Sequence, residues 1–472
     1  RFAIFFRRFV ALAGDLGCPV YAADLATAKA RAYARAPKGT CMSDQGPPTS
    51  PTVPPAAAAA AQPGVHSGVS SGSHQPPSPK SRRAARLLLG IAMMGVVTLI
   101  AASGGVIFLM KDEFVPNVKE GSALEVVLDG SISDAPGDGG FVMDPNDFPM
   151  LLTETASEIR RAATDERITG LYVQVEDLSV GWAGAAELRD AITAFSAAGK
   201  PCWAWADGYE NKTYYVASAC KEVYVSPAGV LLVNGFSITT EYYAGTFEKL
   251  GVTSNFEHVG DFKSAIEPYS RTEPTEAASA AMESMLDGLY GNMVSAIATG
   301  RGMTEPEVLA LIDNPPITPA SAVERKMVDG MKWKDEVADG LAGEERTTLE
   351  DYREPTLPFG GQGKAIAVVH ADGAIVSGES GQPLFGGSMV GDVSMNDIFD
   401  DIREDDDIAA VVLRVNSPGG SGLASDNIWR GLKRLQAAGK PLVVSMGDYA
   451  ASGGYYIAAP ADWIVAEPTT LT

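Results

Sequence analysis

The clearest pattern along the chain is an alternation of short apolar segments with longer amphipathic ones. Residues 408–415 are apolar and rich in β-branched side chains, residues 426–438 have helical periodicity, and residues 441–446 are apolar again. Short β-branched runs predict strands, and apolar positions recurring every three to four residues predict a helix. The resulting β-α-β order predicts an α/β fold with a mostly parallel sheet covered by helices.

The same pattern occurs twice, because the chain contains an internal repeat. Segment 167–175 matches 407–415 without a gap, and the match continues at the same offset of 240 residues as far as 197–201. After a one-residue shift, 214–217 matches 455–458. A period of this length indicates a duplicated domain and not a solenoid of short units.

The duplication divides most of the chain into two domains. We predict a first repeat over 120–345, a linker over 346–363 and a second repeat over 364–472. The first repeat continues through a helical segment near 276–300, whereas the second stops at Thr472 with no such continuation. We therefore expect the second repeat to be truncated and the chain to be a fragment.

The repeats differ at a serine-containing turn in the second one. Ser452 lies in an Ala-Ala-Ser-Gly-Gly sequence three residues after the apolar run 441–446, and its counterpart in the first repeat is Asn211. The glycine turn at 416–420 likewise has no glycine counterpart in the first repeat. Functional groups of parallel α/β sheets gather at the carboxyl ends of strands, so we expect the two turns to face each other.

A serine at the start of a helix can act as a nucleophile. Free N–H groups there can stabilise a developing negative charge, provided that another residue takes the serine proton. After residue 110 the histidines are His258, which has no obvious acidic partner, and His370, which we predict to be a packed strand residue. A Ser-His-Asp triad is therefore weakly supported. Lys263 could be the base if burial lowered its pKa from about 10.4, but its spacing does not select it.

Three motifs taken together resemble protease IV, the long form of signal peptide peptidase. They are Gly-Asp-Phe-Lys-Ser-Ala-Ile-Glu-Pro-Tyr at 260–269, Asn-Ser-Pro-Gly-Gly-Ser at 416–421 and Ala-Ala-Ser-Gly-Gly-Tyr-Tyr at 450–456. The resemblance implies Ser452 as the nucleophile and Lys263 as the general base, one from each repeat. It also implies an oxyanion hole made by the N–H of Gly453 with that of Gly419 or Gly420.

The resemblance carries further expectations about fold and partners. It implies duplicated Clp/crotonase-like ββα superhelix domains, dome-like homo-oligomeric rings such as a tetramer, and no cofactor. The implied substrates are cleaved signal peptides and other short or unfolded chains. In the family the sequence continues with Gly-Ser after the Thr-Leu-Thr matched by 470–472, and that serine helps to orient the lysine. Two alternatives stay open, a catalytically impaired membrane scaffold and a crotonase-type acyl-CoA enzyme.

One segment predicts that the chain is anchored in a membrane. Residues 87–110 carry no charge across 24 positions, which is long enough to span a bilayer as a helix. Arg82, Arg83 and Arg86 precede this segment, so the residues before it should lie in the cytoplasm and the residues after it outside. The resemblance to protease IV implies the inner membrane of a bacterium. A cleaved signal peptide is the alternative. The Pro- and Ser-rich composition before it predicts a disordered tail over 1–80, of which 1–41 precedes the first methionine and is expected to be untranslated.

Charge and cysteine content narrow the function further. A net charge of -22 argues against a nucleic-acid partner, which would need a basic surface. Cys202 and Cys220 are the cysteines after residue 110, and neither has metal-ligand spacing. They could pair in an oxidising compartment, but we expect two separate buried thiols, because one is predicted in a strand and the other in a helix.

Overall fold

The computed structural model describes most of the chain after residue 117. The described residues are 118–130, 132–135, 151–343, 345–353, 364–381 and 387–472. The predicted tail over 1–80 and the predicted transmembrane segment over 87–110 lie outside them. No helix within the described ranges is both long enough and apolar enough to cross a membrane.

Strands and helices alternate along both repeats. The strands are β1 (Ser122–Asp129), β2 (Ile168–Asp177), β3 (Cys202–Ala206), β4 (Tyr209–Glu210), β5 (Glu222–Val225), β6 (Leu231–Leu232), β7 (Gly330–Met331), β8 (Arg346–Thr348), β9 (Ala365–Asp372), β10 (Ala374–Val376), β11 (Met389–Gly391), β12 (Ile408–Ser417), β13 (Leu442–Ala450) and β14 (Trp463–Val465). The helices are α1 (Leu152–Thr164), α2 (Trp182–Ala197), α3 (Asn211–Ala217), α4 (Ala244–Leu250), α5 (Glu267–Ser270), α6 (Glu276–Arg301), α7 (Glu305–Asp313), α8 (Pro319–Glu324), α9 (Lys334–Ala338), α10 (Leu349–Tyr352), α11 (Asp392–Glu404), α12 (Gly422–Ala437) and α13 (Gly453–Ala458).

Each repeat is built on its own parallel sheet, as the β-α-β pattern predicts. The first sheet has the strand order β7-β5-β3-β2-β1-β8, and the second has the order β14-β13-β12-β9. Neighbouring strands in both sheets run parallel. Two further pairs, β4 with β6 and β10 with β11, form small separate sheets. The predicted α/β class is confirmed.

The structure refines several predicted boundaries. The helix predicted over 426–438 begins four residues earlier, at Gly422, and the strand predicted over 441–446 continues to Ala450. Strand β8 pairs with β1 of the first sheet although it falls in the predicted linker. The folded part of the first repeat thus continues past residue 345.

Two apolar cores stabilise the two sheets separately. In the first repeat, Leu124 of β1 lies opposite Leu171 of β2, and both side chains are fully buried. In the second repeat, Leu413 of β12 has Val369 on one side and Val444 on the other. Strands covered by helices are apolar on both faces, which is why β2 and β12 appear as nearly continuous apolar runs in the sequence.

Cys202 and Cys220 form a disulfide in the structure, so the expectation of two separate thiols is wrong. Cys202 begins β3, but Cys220 lies in the turn after α3 and not in the helix. The turn brings the two Cα atoms to 5.0 Å, a separation that a disulfide requires. A bond of this kind persists in oxidising compartments and is rare in the cytosol.

A buried ionic cluster joins the two repeats, which belong to one structural unit. Arg414 of β12 is only 3% exposed, and its guanidinium contacts Asp134 at 2.7 Å and Glu187 of α2 at 2.6 Å. Burial alone would lower the pKa of Arg414, but its bonds to the two carboxylates outweigh burial and raise it. Burial raises the pKa of Glu187, and Arg414 opposes that rise. The guanidinium therefore stays charged and holds two acids of the first repeat.

We expect Arg414→Ala to destabilise the chain by about 3–5 kcal/mol, because it leaves two buried carboxylates without a counter-charge. Arg403→Ala is the control, since Arg403 makes its ion pairs to Asp400 and Glu404 at the surface, where a pair contributes about 0–1 kcal/mol. Urea unfolding followed by circular dichroism measures both changes. Equal losses for the two variants would contradict a structural role for the buried cluster.

Candidate active site

Ser452 lies in a strained turn between β13 and α13. Its backbone has φ 51° and ψ −116°, and Lys326 is the other non-glycine residue with positive φ among those described. Such a conformation costs about 1–3 kcal/mol and persists only where the surrounding structure enforces it. Ser452 is exposed, and its side chain does not cap the helix that follows. A strained serine between a strand and a helix, with its hydroxyl accessible, is the arrangement of a nucleophile elbow.

The two glycine turns of the second repeat face each other, as the sequence predicts. A Cβ atom added to Gly419 would lie 2.6 Å from the Gly453 nitrogen and 2.8 Å from the Ser452 Cβ. Gly419 also has φ 96°, a value that side chains rarely adopt. Close approach and backbone conformation both require glycine at this position.

The hydrogen bonds distinguish between the two oxyanion-hole candidates. The N–H of Gly419 donates to Ser417 Oγ at 3.1 Å. Within the described part of the chain, no acceptor pairs with the backbone N–H of Gly420 or Gly453. The Gly420 nitrogen lies 3.2 Å from the place where a Gly453 Cβ would stand. The geometry thus favours Gly420 over Gly419 as the partner of Gly453, and the oxyanion role itself stays a prediction.

Lys263 lies in an exposed turn before α5. Residues 252–259, which precede this turn, have no regular secondary structure. Among the described contacts, no hydrogen bond or ion pair joins Lys263 to Ser452. Neighbouring apolar side chains are exposed as well, with Phe262 at 70%. The Ser452–Lys263 dyad therefore stays a prediction.

His370 is a strand residue, as the sequence indicates. His258 is exposed, its ring nitrogen Nδ1 lies 3.1 Å from the Gly260 carbonyl oxygen, and the Glu267 carboxylate is close enough to interact with it electrostatically. His370 is a strand residue of β9, opposite Arg414 of β12, and burial lowers its pKa. Among the described contacts, no hydrogen bond joins either histidine to Ser452.

Asp448, four residues before Ser452, reaches across to the first repeat. Its carboxylate accepts hydrogen bonds from the N–H groups of Gly181 at 2.8 Å, Ala183 at 2.8 Å and Gly184 at 3.0 Å. These are donors at the start of α2, which have no acceptor within the helix. A residue four positions before Ser452 thus caps a helix of the other repeat.

The need for this cap follows from a difference between the repeats. The residue before α12 is Ser421, whose side chain accepts the N–H of Ala424 and so caps its own helix. The equivalent residue before α2 is Gly181, which has no side chain to do so. A Cβ at Gly181 would lie 2.3 Å from the Asp448 carboxyl carbon. The carboxylate therefore occupies the space that a local capping residue would fill.

Residues that support the turn were not identified from the sequence. Asn416 accepts the Tyr449 N–H at 3.1 Å and donates to Asp372 at 2.8 Å. Arg414 and Asp448 join the repeats. One signal was available, because Arg414 is a lone charge within an otherwise apolar strand. The role of Asp448 could be recognised only through the missing cap at Gly181, which requires the helix boundary.

Comparison with known proteins identifies similar sequences. The model of peptidase family S49 matches residues 194–347 and 434–472, which include Lys263 and Ser452. The chloroplastic serine protease SPPA of Arabidopsis thaliana is 30% identical over 369 residues, or 75% of this chain and 53% of that protein. Protease 4 of Salmonella typhi is 34% identical over 342 residues, or 68% of this chain and 54% of that protein. The chain spans about half the length of these curated relatives.

A solved structure of a membrane-bound stomatin-specific protease mutant also matches. It is 10% identical and covers 51% of this chain and 93% of its own. Its TM-score is 0.28.

We expect Asp448→Ala to lower the stability of the chain by about 1–2 kcal/mol, because three N–H groups at the start of α2 lose their acceptor. The matched control is Asp207→Ala, since exposed Asp207 is the repeat counterpart of Asp448, and a surface change of this kind costs under about 0.5 kcal/mol. Thermal unfolding measures both. Adding Gly181→Ser to Asp448→Ala should restore part of the loss through a local cap, and a double variant no more stable than Asp448→Ala would contradict the capping role.

Ser452→Gly should raise stability by about 1 kcal/mol, because glycine adopts positive φ without steric cost. Lys326→Gly should have a similar effect, since Lys326 has φ 60° in a turn outside the candidate site. Differential scanning calorimetry should show midpoints about 2–4 °C higher for both variants. A lower midpoint for Ser452→Gly would mean that this turn stores no backbone strain.

Proposed function

The chain belongs to peptidase family S49, confirming the resemblance to protease IV, and on this premise we propose that it is a serine endopeptidase with a Ser452–Lys263 dyad. The observation that carries the proposal is the turn at Ser452. Its exposed hydroxyl stands beside two backbone N–H groups that have no acceptor among the described residues. This combination suits attack on a carbonyl group.

The proposed reaction is acyl transfer through a covalent intermediate. Ser452 Oγ attacks the carbonyl carbon of the scissile bond while the Lys263 amine takes the hydroxyl proton. The N–H groups of Gly453 and Gly420 donate to the oxyanion that forms. Lys263 then gives the proton to the leaving amine, and water hydrolyses the acyl-enzyme with the same lysine as base. No metal or cofactor takes part in these steps.

The dyad requires Lys263 to come within hydrogen-bond reach of Ser452 when substrate is bound. Catalytic hydrogen bonds are often long or unformed in a free enzyme and form only in the complex. The segment around Lys263 has exposed apolar side chains, such as Phe262 and Val259. Such side chains suit contact with an apolar peptide.

We propose cleaved signal peptides and other short or unfolded chains as substrates. We place the catalytic part outside the cytoplasm, anchored by residues 87–110 in the inner membrane of a bacterium, because this uncharged segment follows three arginines. The disulfide between Cys202 and Cys220 supports an oxidising compartment. Within the α/β class, the parallel sheets with a glycine turn at a strand end support assigning the chain to the Clp/crotonase-like fold. A homo-oligomeric ring is part of the same proposal, drawn from the resemblance.

Ser452→Ala and Lys263→Ala should each lower kcat/KM by at least about 1,000-fold, because nucleophile and base act as one unit. The control is Lys249→Ala, an exposed lysine of the preceding helix α4, which should change the rate by less than about twofold. Cleavage of a fluorogenic signal-peptide substrate measures all three.

Labelling of Ser452 by a serine-reactive probe separates the possible failures. Full activity of Lys263→Ala would show that another residue is the base. A wild-type chain that is folded, unreactive to the probe and inactive on every peptide would instead favour the impaired scaffold.

A further inference from the structure

The first repeat keeps an open groove where the second repeat has its nucleophile. Asn211, the counterpart of Ser452, accepts the N–H groups of Asn234 at 3.0 Å and Gly235 at 3.2 Å, and donates to the Gly235 carbonyl at 2.7 Å. Its side chain is thus engaged in shaping the loop that follows β6. The first repeat therefore has no serine at this position, but a cavity lies beside Asn211.

Two adjoining cavities make up this groove. One, of about 390 Å³, is lined by Trp182, Asn211 and Leu232, and the other, of about 470 Å³, by Tyr290 and Ile312 among others. Asn234 and Phe236 line both cavities, so the two form one continuous depression. The groove is open to solvent and spans both cavities, which suits an extended chain better than a compact small molecule.

Aromatic rings cross the groove along its length. Phe236 contacts Trp182 edge-to-face at 4.9 Å on one side and Tyr290 at 6.3 Å on the other. All three side chains are only partly buried, so each presents ring surface to the groove. Aromatic surface of this kind packs against aliphatic side chains of a bound segment.

The rim of the groove is acidic. Asp287 and Asp313 border one cavity and Glu210 borders the other, and all three are exposed. Among the described residues that line the two cavities, one is basic: Lys212, which donates to the Val180 carbonyl oxygen and is thereby tied to its own repeat. The rim therefore offers carboxylates to a ligand that carries positive charge.

We propose that this groove is a second peptide-binding site, which holds a segment combining basic and apolar residues without cleaving it. The inference rests on the proposed function for the class of ligand, peptides, and on the groove for their composition. Signal peptides have a basic start followed by an apolar run, and they fit an acidic rim above aromatic rings. The site lies beside the repeat boundary, because Trp182 directly follows Gly181, and the Gly181 N–H donates to Asp448 of the second repeat.

Binding without turnover tests the proposal. The full chain carrying Ser452→Ala is titrated with a fluorescent peptide that has a lysine-rich start and an apolar run of about 10 residues. Adding Asp287→Asn with Asp313→Asn should weaken binding about five- to tenfold at low salt, and the difference should shrink in high salt. The control pair is Asp397→Asn with Asp401→Asn, which removes the same charge from exposed positions of α11 and should leave affinity unchanged.

A second variant tests the apolar part. Phe236→Ala should weaken binding of the lysine-rich peptide and of a matched neutral peptide to the same degree, about tenfold, because it removes ring surface and no charge. Equal affinities for the groove pair and the control pair would overturn the proposal. So would a change in oligomeric mass with unchanged peptide affinity, which would make the groove a contact between copies.

The two proposals fail in distinguishable ways. If the wild-type chain cleaves nothing but the groove variants still lose affinity, the peptidase assignment fails and the binding site stands. If the wild-type chain cleaves peptides and the groove variants bind as tightly as the control pair, the second site alone is wrong.

Discussion

The carboxylate of Asp448 is the contact on which the arrangement of the two repeats around the candidate site depends. It accepts hydrogen bonds from the N–H groups at the start of α2. Asp448 itself lies in β13, the strand that leads to Ser452. Arg414 reinforces this boundary, since it is buried between acids of the first repeat, and a Cβ at neighbouring Gly447 would lie 3.1 Å from the Asp134 carboxylate. A strained turn is held only if its surroundings are rigid, and charged hydrogen bonds across the boundary supply that rigidity.

Duplication explains why such contacts arose between repeats and not within them. Ser421 caps α12 locally, whereas Gly181 leaves α2 without a cap of its own. Arg414 likewise stands where the first repeat has Gln174. Helix α2 thus depends on Asp448 of the second repeat, and Arg414 pairs with acids of the first repeat. A chain built in this way behaves as one unit, because neither half satisfies its buried polar groups alone.

The divergence has opposite results at the two equivalent turns. In the second repeat the turn has positive φ at Ser452, which is exposed, and a close approach of Gly419 to Gly453 that leaves no room for a Cβ. In the first, Asn211 ties its loop by three hydrogen bonds and leaves a groove beside it. One position carries the proposed chemistry, and the other carries the proposed recognition. A peptidase gains from this division when binding energy remote from the scissile bond helps to position the substrate.

The local sequence was sufficient to predict the strands and helices, the duplication and the serine turn, because apolar periodicity and glycine placement act over a few residues. It was insufficient for the disulfide between Cys202 and Cys220, for Asp448 as a cap and for the choice of Gly420 over Gly419. Those features depend on which atoms meet across tens or hundreds of residues, and only the packing of strands and helices decides that. The predicted place of Ser452 at a strand end needed no tertiary information, whereas its strained backbone and its link to the first repeat exist only once both sheets have formed.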